Sequence, residues 1–218
     1  MERGTLIDLH THTTISSGCS VMEPQALIEA ANREDLDAIC VTDHFFIKGA
    51  NVTKALGRDI GFPVLRGVEA RTDLGDMLVF GYYRDIPEGI SLEDLCRYVH
   101  EVGGLVFAAH PFHTRGGPSL VLEFSKRGLD LNADWHRVDV LRELDGVETI
   151  NGQVGDDANV QAEALAHDLR VPGIAGSDAH AVDMVGTAAT RFAQPVRSDA
   201  ELVAALKSGD YEALRLTD

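Results

Sequence analysis

Several short apolar runs lead directly into residues that hold metal ions or move protons. Residues 5–9 run into His10-Thr11-His12, and 37–42 into Asp43-His44. Residues 64–68 run into Glu69, 105–109 into His110-Pro111, and 146–150 into Asn151. Residues 173–176 run into Ser177-Asp178-Ala179-His180. Imidazole and carboxylate are the ligands expected for zinc, manganese or iron. His10 and His12 stand two apart, as do Asp178 and His180. On an extended strand such pairs point to one side, so each pair can bite one cation or bridge two. A carboxylate such as Glu69 can bridge neighbouring cations, and two-metal sites activate water and stabilise a leaving oxygen.

These side chains meet only if the elements beneath them are aligned. The apolar runs read as strands, with helices predicted over 23–33, 91–102, 160–169 and 198–208. A strand over 77–83 is expected to lie antiparallel to the main register or outside it. Strands separated by helices point to a mostly parallel α/β barrel or wound sheet, whose C-terminal strand ends share one face. Residues 116–135 are the least regular stretch and are expected to form an insertion or lid. With no linker, repeat or low-complexity stretch, residues 1–218 read as one domain.

His10-x-His12, Thr42-Asp43-His44, Gly67-Val68-Glu69, His110-Pro111-Phe112 and Gly176-Ser177-Asp178-Ala179-His180 resemble, in order, the motifs of the PHP (polymerase and histidinol phosphatase) family. The resemblance spans nearly the whole chain. It implies a distorted (β/α)7 barrel that hydrolyses phosphate esters with metal-activated water. By position it implies metal ligation by His10, His12, His44, Glu69, His110, Asp178 and His180, to two or three divalent cations (Zn, Mn or Fe). Asp43 would orient His44 or a neighbouring ligand. Asn151 falls where some members place a further polar contact.

Two positions depart from the family pattern. Ser17 stands where many members have an aspartate, and Asp76 where many have a histidine, which bears on the third metal. Cys19 and Asp76 are the residues placed to compensate. Arg115 suits a phosphate oxygen pair, with Lys48 as a weaker candidate. His113 and His180 are candidates to supply a proton to the leaving group. His100, His136 and His167 lie in or beside helical segments without a partner motif and read as structural. A non-catalytic metal- or phosphate-binding module, and a nuclease acting on single-stranded ends, are the alternative functions.

Net charge is −16, from 19 basic and 35 acidic residues. That field repels polyanions and argues against long nucleic acid, while a small phosphorylated substrate held by cations suits it. No apolar stretch is long enough for a membrane span, and the N-terminus lacks a signal-peptide pattern. Three scattered cysteines, Cys19, Cys40 and Cys96, fit a reducing cytoplasm. The oligomeric state is not encoded in any motif.

Overall fold

The first apolar run forms β1 (Thr5–Thr11), which is buried almost throughout. Its alternation is that of a strand with two covered faces: Ile7 and Leu9 join one core cluster and Leu6 another. In the computed structural model, which describes residues 4–115 and 117–216, the chain continues as α1 (Pro24–Arg33), β2 (Ala38–Val41), α2 (Lys48–Ile60), β3 (Val64–Thr72) and β4 (Gly75–Phe80). Then come α3 (Leu92–Glu101), β5 (Leu105–Ala108), α4 (Leu120–Lys126), α5 (Leu131–Asp134), β6 (Gly146–Asn151) and α6 (Asp156–Leu169). The last elements are β7 (Gly173–Gly176), β8 (Ala188–Phe192), α7 (Asp199–Ser208) and β9 (Tyr211–Arg215).

The strands form one sheet in the order β7-β6-β5-β4-β3-β2-β1-β8-β9. β1, β2 and β3 run parallel, as do β5, β6 and β7. β4 is antiparallel to both its neighbours, as its sequence position suggested. The sheet curls until its ends nearly meet. Thr11 pairs with Ala179 just beyond β7, and the His12 amide donates to the Ala179 carbonyl at 3.0 Å. At the opposite end β8 wedges between β1 and β7, where Thr190 Oγ1 accepts from the Ala175 amide at 2.8 Å and donates to its carbonyl at 3.0 Å. The fold is therefore an α/β barrel, nearly closed and distorted by β4 and β8.

The barrel interior is filled by side chains including Ile7, Cys40, Leu65, Phe80, Phe107 and Ile174. Each fully buried side chain of this size contributes about 1.5–3 kcal/mol over an exposed one. Helices cover the outer face through residues such as Leu27, Ala50, Leu95 and Leu165. Gly176 is needed where β7 crosses β1: a Cβ there would lie 2.4 Å from His10 Cβ.

Five elements escaped the sequence reading. α2 carries Gly49, Thr53 and Gly57, poor helix formers that burial compensates. β8 and β9 are short, and β9 is largely uncovered. The stretch expected as an insertion or lid is instead anchored: α4 and α5 bury Leu120, Phe124 and Leu131. The Val121 amide also donates to the Pro111 carbonyl at 2.9 Å. No helix among the described residues is long and apolar enough to cross a membrane.

Candidate metal centre

β1 delivers His10, with His12 just past its end and a register shift between Asp8 and Thr11. β3 delivers Glu69, on the inward row of Leu65 and Gly67. His44, His110 and Asp178 follow directly on β2, β5 and β7. His110 and Asp178 have positive φ, 27° and 54°, as does Phe45 at 62°. Such backbone in non-glycine residues costs about 1–3 kcal/mol and persists where the surroundings enforce it. All seven predicted metal ligands are brought together.

Their contacts are close. His10 Nε2 and His12 Nε2 are 3.0 Å apart. They lie 3.5 and 3.3 Å from Glu69 Oε2, and 3.3 and 3.2 Å from Asp178 Oδ1. His44 Nδ1 is 2.8 Å from Glu69 Oε2, and His110 Nε2 is 3.0 Å from Glu69 Oε1. The His12 ring stacks on His44 and His180, with centroids 4.6 and 4.3 Å away. Among the described residues, four overlapping groups can each hold a cation: His12-His44-His180, His10-His110-Asp178, His10-His12-Glu69 and Glu69-Asp76-His110.

The outer nitrogens decide what the inner ones present. His10 Nδ1 lies 2.9 Å from Glu148 Oε1, and a carboxylate only accepts, so Nδ1 carries the hydrogen. His12 Nδ1 lies 3.1 Å from Ser17 Oγ, whose own hydrogen goes to Asp43 Oδ1 at 2.7 Å. His12 Nδ1 is therefore also the donor. The raised basicity of His10 puts a second proton on its Nε2, which donates to the lone pair of His12 Nε2 at 3.0 Å; a cation would take that proton's place. His110 Nδ1 is buried without a hydrogen-bond partner, and Glu69 Oε2 has only the ring nitrogens of His10, His12 and His44 around it. This donor set fits divalent metal.

Charges follow the same geometry. Burial disfavours ionised Glu69 and Asp178, yet the surrounding imidazoles, His10 foremost, hold both carboxyls well below their usual range. Burial also opposes charge on His10 and His110, but the neighbouring carboxylates outweigh it. His10 is held well above the imidazole range and His110 at about 9. Burial dominates at His12, which drops to about 4.

Asp43 accepts from the Thr13 amide and hydroxyl, both at 2.6 Å, as well as from Ser17. It reaches His12 through Ser17, and the same hydroxyl accepts from the His44 amide at 3.1 Å. Gly49 makes room for this network: a Cβ there would sit 1.7 Å from Asp43 Oδ2. Ser17, departing from the family's aspartate, thus becomes a link between Asp43 and His12. Asn151 donates to Glu148 Oε2 at 3.0 Å and Asp178 Oδ2 at 3.3 Å.

Above these side chains lies an open cavity of about 310 Å³. Glu69, His110 and Asp178 form its floor, and His44, His113 and His180 its walls. His180 Nδ1 donates to the Asp178 carbonyl at 2.8 Å. His113 packs edge-on to His110, and burial together with His110 lowers its pKa. Asp76 and Cys19 also line the cavity, where burial and the charge of Glu69 push Asp76 up to about 6. Arg115 and Lys48 are exposed and are not among the described lining residues. Of the histidines read as structural, His100 lies 2.8 Å from Asp145, and His136 and His167 are exposed. None lines the cavity.

Two buried carboxylates went unassigned from sequence. Glu148 interrupts the apolar run of β6, a signal that was available. Asp8 accepts from the amides of His10, Ser177 and Gly186 at 3.2, 2.9 and 3.1 Å, fastening β1 to the segment after β7. Burial raises its carboxyl to about 6.

The PHP domain model matches residues 8–130, and a model described as PHP-associated matches 156–211. The chain belongs to the PHP family. An uncharacterised protein of Methanocaldococcus jannaschii is 33% identical over 114 residues, covering 48% of this chain and 67% of that protein. A PolC-type DNA polymerase III of Oceanobacillus iheyensis is 42% identical over 64 residues, 29% of this chain and 4% of the polymerase. Among solved structures, a protein of Bifidobacterium adolescentis assigned as a metal-dependent phosphoesterase superposes with TM-score 0.65 at 17% identity, covering 92% of this chain and 95% of that one. Endonuclease Q, solved with a 27-mer DNA duplex, superposes with TM-score 0.64 at 16% identity, covering 94% of this PHP chain and 56% of the endonuclease. The PHP fold thus offers no ground for excluding nucleic acid, and only the acidic charge argues against it.

Proposed function

We propose that this PHP chain is a metal-dependent phosphoesterase acting on a small phosphorylated substrate, such as a nucleotide or another phosphate monoester. The observation that carries this reading is the convergence of His10 Nε2 and His12 Nε2, 3.0 Å apart, on Glu69 Oε2, which His44 Nδ1 also approaches at 2.8 Å. His10, His12, His44, Glu69, His110, Asp178 and His180 would hold two to three cations, with zinc, manganese or iron suited to these ligands. When bound, such cations polarise phosphoryl oxygens and lower the pKa of water.

The chain's own residues supply position and protons. Glu148 and Ser17 keep the reactive nitrogens of His10 and His12 turned inward. His113 on the cavity wall, or His180 where it holds no cation, would give the departing alcohol its proton. Arg115, exposed in the loop beyond His113, would meet an outer part of the substrate. The cysteines are unpaired, in keeping with a cytoplasmic setting.

The test is elemental analysis of protein purified without chelator, paired with hydrolysis of an aryl phosphate with and without added manganese. Bound metal with metal-dependent turnover supports the reading; neither at any supplementation rejects it. Individual His12→Ala, Glu69→Ala and Asp178→Ala variants should lose metal and turnover together.

The likeness to Endonuclease Q favours a nuclease as the second reading. Cleavage of a DNA strand that weakens steeply with salt would support it, because polyanion contacts release counterions.

A further inference from the structure

Arg71 lies two residues beyond Glu69 on β3, so both side chains belong to the same row of the strand. It is the one lysine or arginine among the described residues lining the cavity. Three groups restrain its head. Asp76, its direct cross-strand partner, accepts from Nε at 3.2 Å. Glu88 accepts from Nη1 at 3.5 Å, and the Phe45 ring centroid is 5.7 Å from Cζ. Nη2 makes no hydrogen bond with any described residue, and the side chain is 32% exposed.

We propose that Arg71 is the substrate-binding cation of this site, its guanidinium receiving the phosphate group of a phosphate monoester. The proposal rests on the phosphoesterase reading and extends it to substrate recognition. A chain of net charge −16 repels a free anion from most of its surface, so a fixed cation beside the floor is what brings a small one in. A guanidinium presents a planar fork that matches two phosphate oxygens, which a lysine ammonium does not. Asp76 and Glu88 hold that fork in place before substrate arrives, reducing the entropy lost on binding. The strained backbone at Phe45 sets its ring against the same head group. One cation suits a single phosphate better than a polymer backbone, which is read by many.

The experiment is titration of inorganic phosphate into manganese-loaded wild type, Arg71→Gln, Arg71→Lys and Arg115→Gln. Metal content and melting temperature are measured alongside, and KM and kcat follow on an aryl phosphate. Arg71→Gln should weaken phosphate binding about tenfold or more, raise KM more than it lowers kcat, and keep its metal. Arg71→Lys, which keeps a cation opposite Asp76, should recover part of the loss. Unchanged phosphate affinity in Arg71→Gln, or a loss confined to Arg115→Gln, would overturn the proposal. So would loss of metal from both Arg71 variants, since Arg71 would then serve the metal site alone. If wild type shows no metal-dependent hydrolysis, the phosphoesterase reading fails, while Arg71-dependent phosphate binding still upholds the anion site.

Discussion

Glu148 holds His10 from behind: its Oε1 lies 2.9 Å from His10 Nδ1, at the far side of the ring from Glu69 and Asp178. Its other oxygen accepts from the His110 amide at 2.8 Å, so one carboxylate orients histidines from β1 and from beyond β5. Glu148→Gln keeps the shape but allows the wrong imidazole tautomer. It should weaken metal binding about 10- to 100-fold. Competition with a chromophoric chelator measures this, and wild-type affinity would show that Glu148 has no part in orienting His10.

Ser17→Ala removes the link between Asp43 and His12 while leaving the Asp43–Thr13 contacts intact. Metal affinity is expected to drop about tenfold, with little loss of fold stability beyond about 1 kcal/mol for the hydrogen bonds. Thr at this position, which restores a hydroxyl, should recover most of the affinity. Equal affinities in the Ala and Thr variants would contradict the link.

Protons and cations compete for the same nitrogens. His110 titrates at about 9 in the metal-free protein, above its ordinary value, and His10 and His44 are also raised. Raised bases stabilise the metal-free fold fully below about pH 6.5, and that stability is lost as pH rises toward 9. The melting temperature of the metal-free protein should therefore fall between pH 6.5 and 9. Metal affinity should rise over the same interval as fewer protons must be displaced. Calorimetric melts with and without manganese check both signs.

Away from the site, Asp199 ties α7 to the rest of the fold. It accepts from Lys54 Nζ at 2.7 Å and from Arg66 Nε and Nη2 at 2.8 and 2.7 Å. Asp199→Ala strands two partly buried cations and should cost about 3 kcal/mol in urea unfolding. Metal content of the folded fraction should not change. A cost under about 1 kcal/mol would class the cluster with ordinary surface pairs.

The sequence by itself determined the barrel and which side chains meet at its mouth. His10, His12, Glu69, His110 and Asp178 each follow an apolar run, and parallel strands place such ends on one face. Residue type and period suffice there because the chemistry is local to each strand end. The tertiary structure decided what reaches these residues from elsewhere. Glu148 is 138 positions from the His10 it orients, and Asp8 is 169 from the Ser177 it binds. Ser17 read as a lost ligand until the fold set it between Asp43 and His12. Arg71 drew no notice beside Arg115 until β4 placed Asp76 opposite it. β8 was missed for a related reason: it pairs with β1, distant in sequence, whereas α2 packs on its neighbours β2 and β3 and was missed for its poor helix formers.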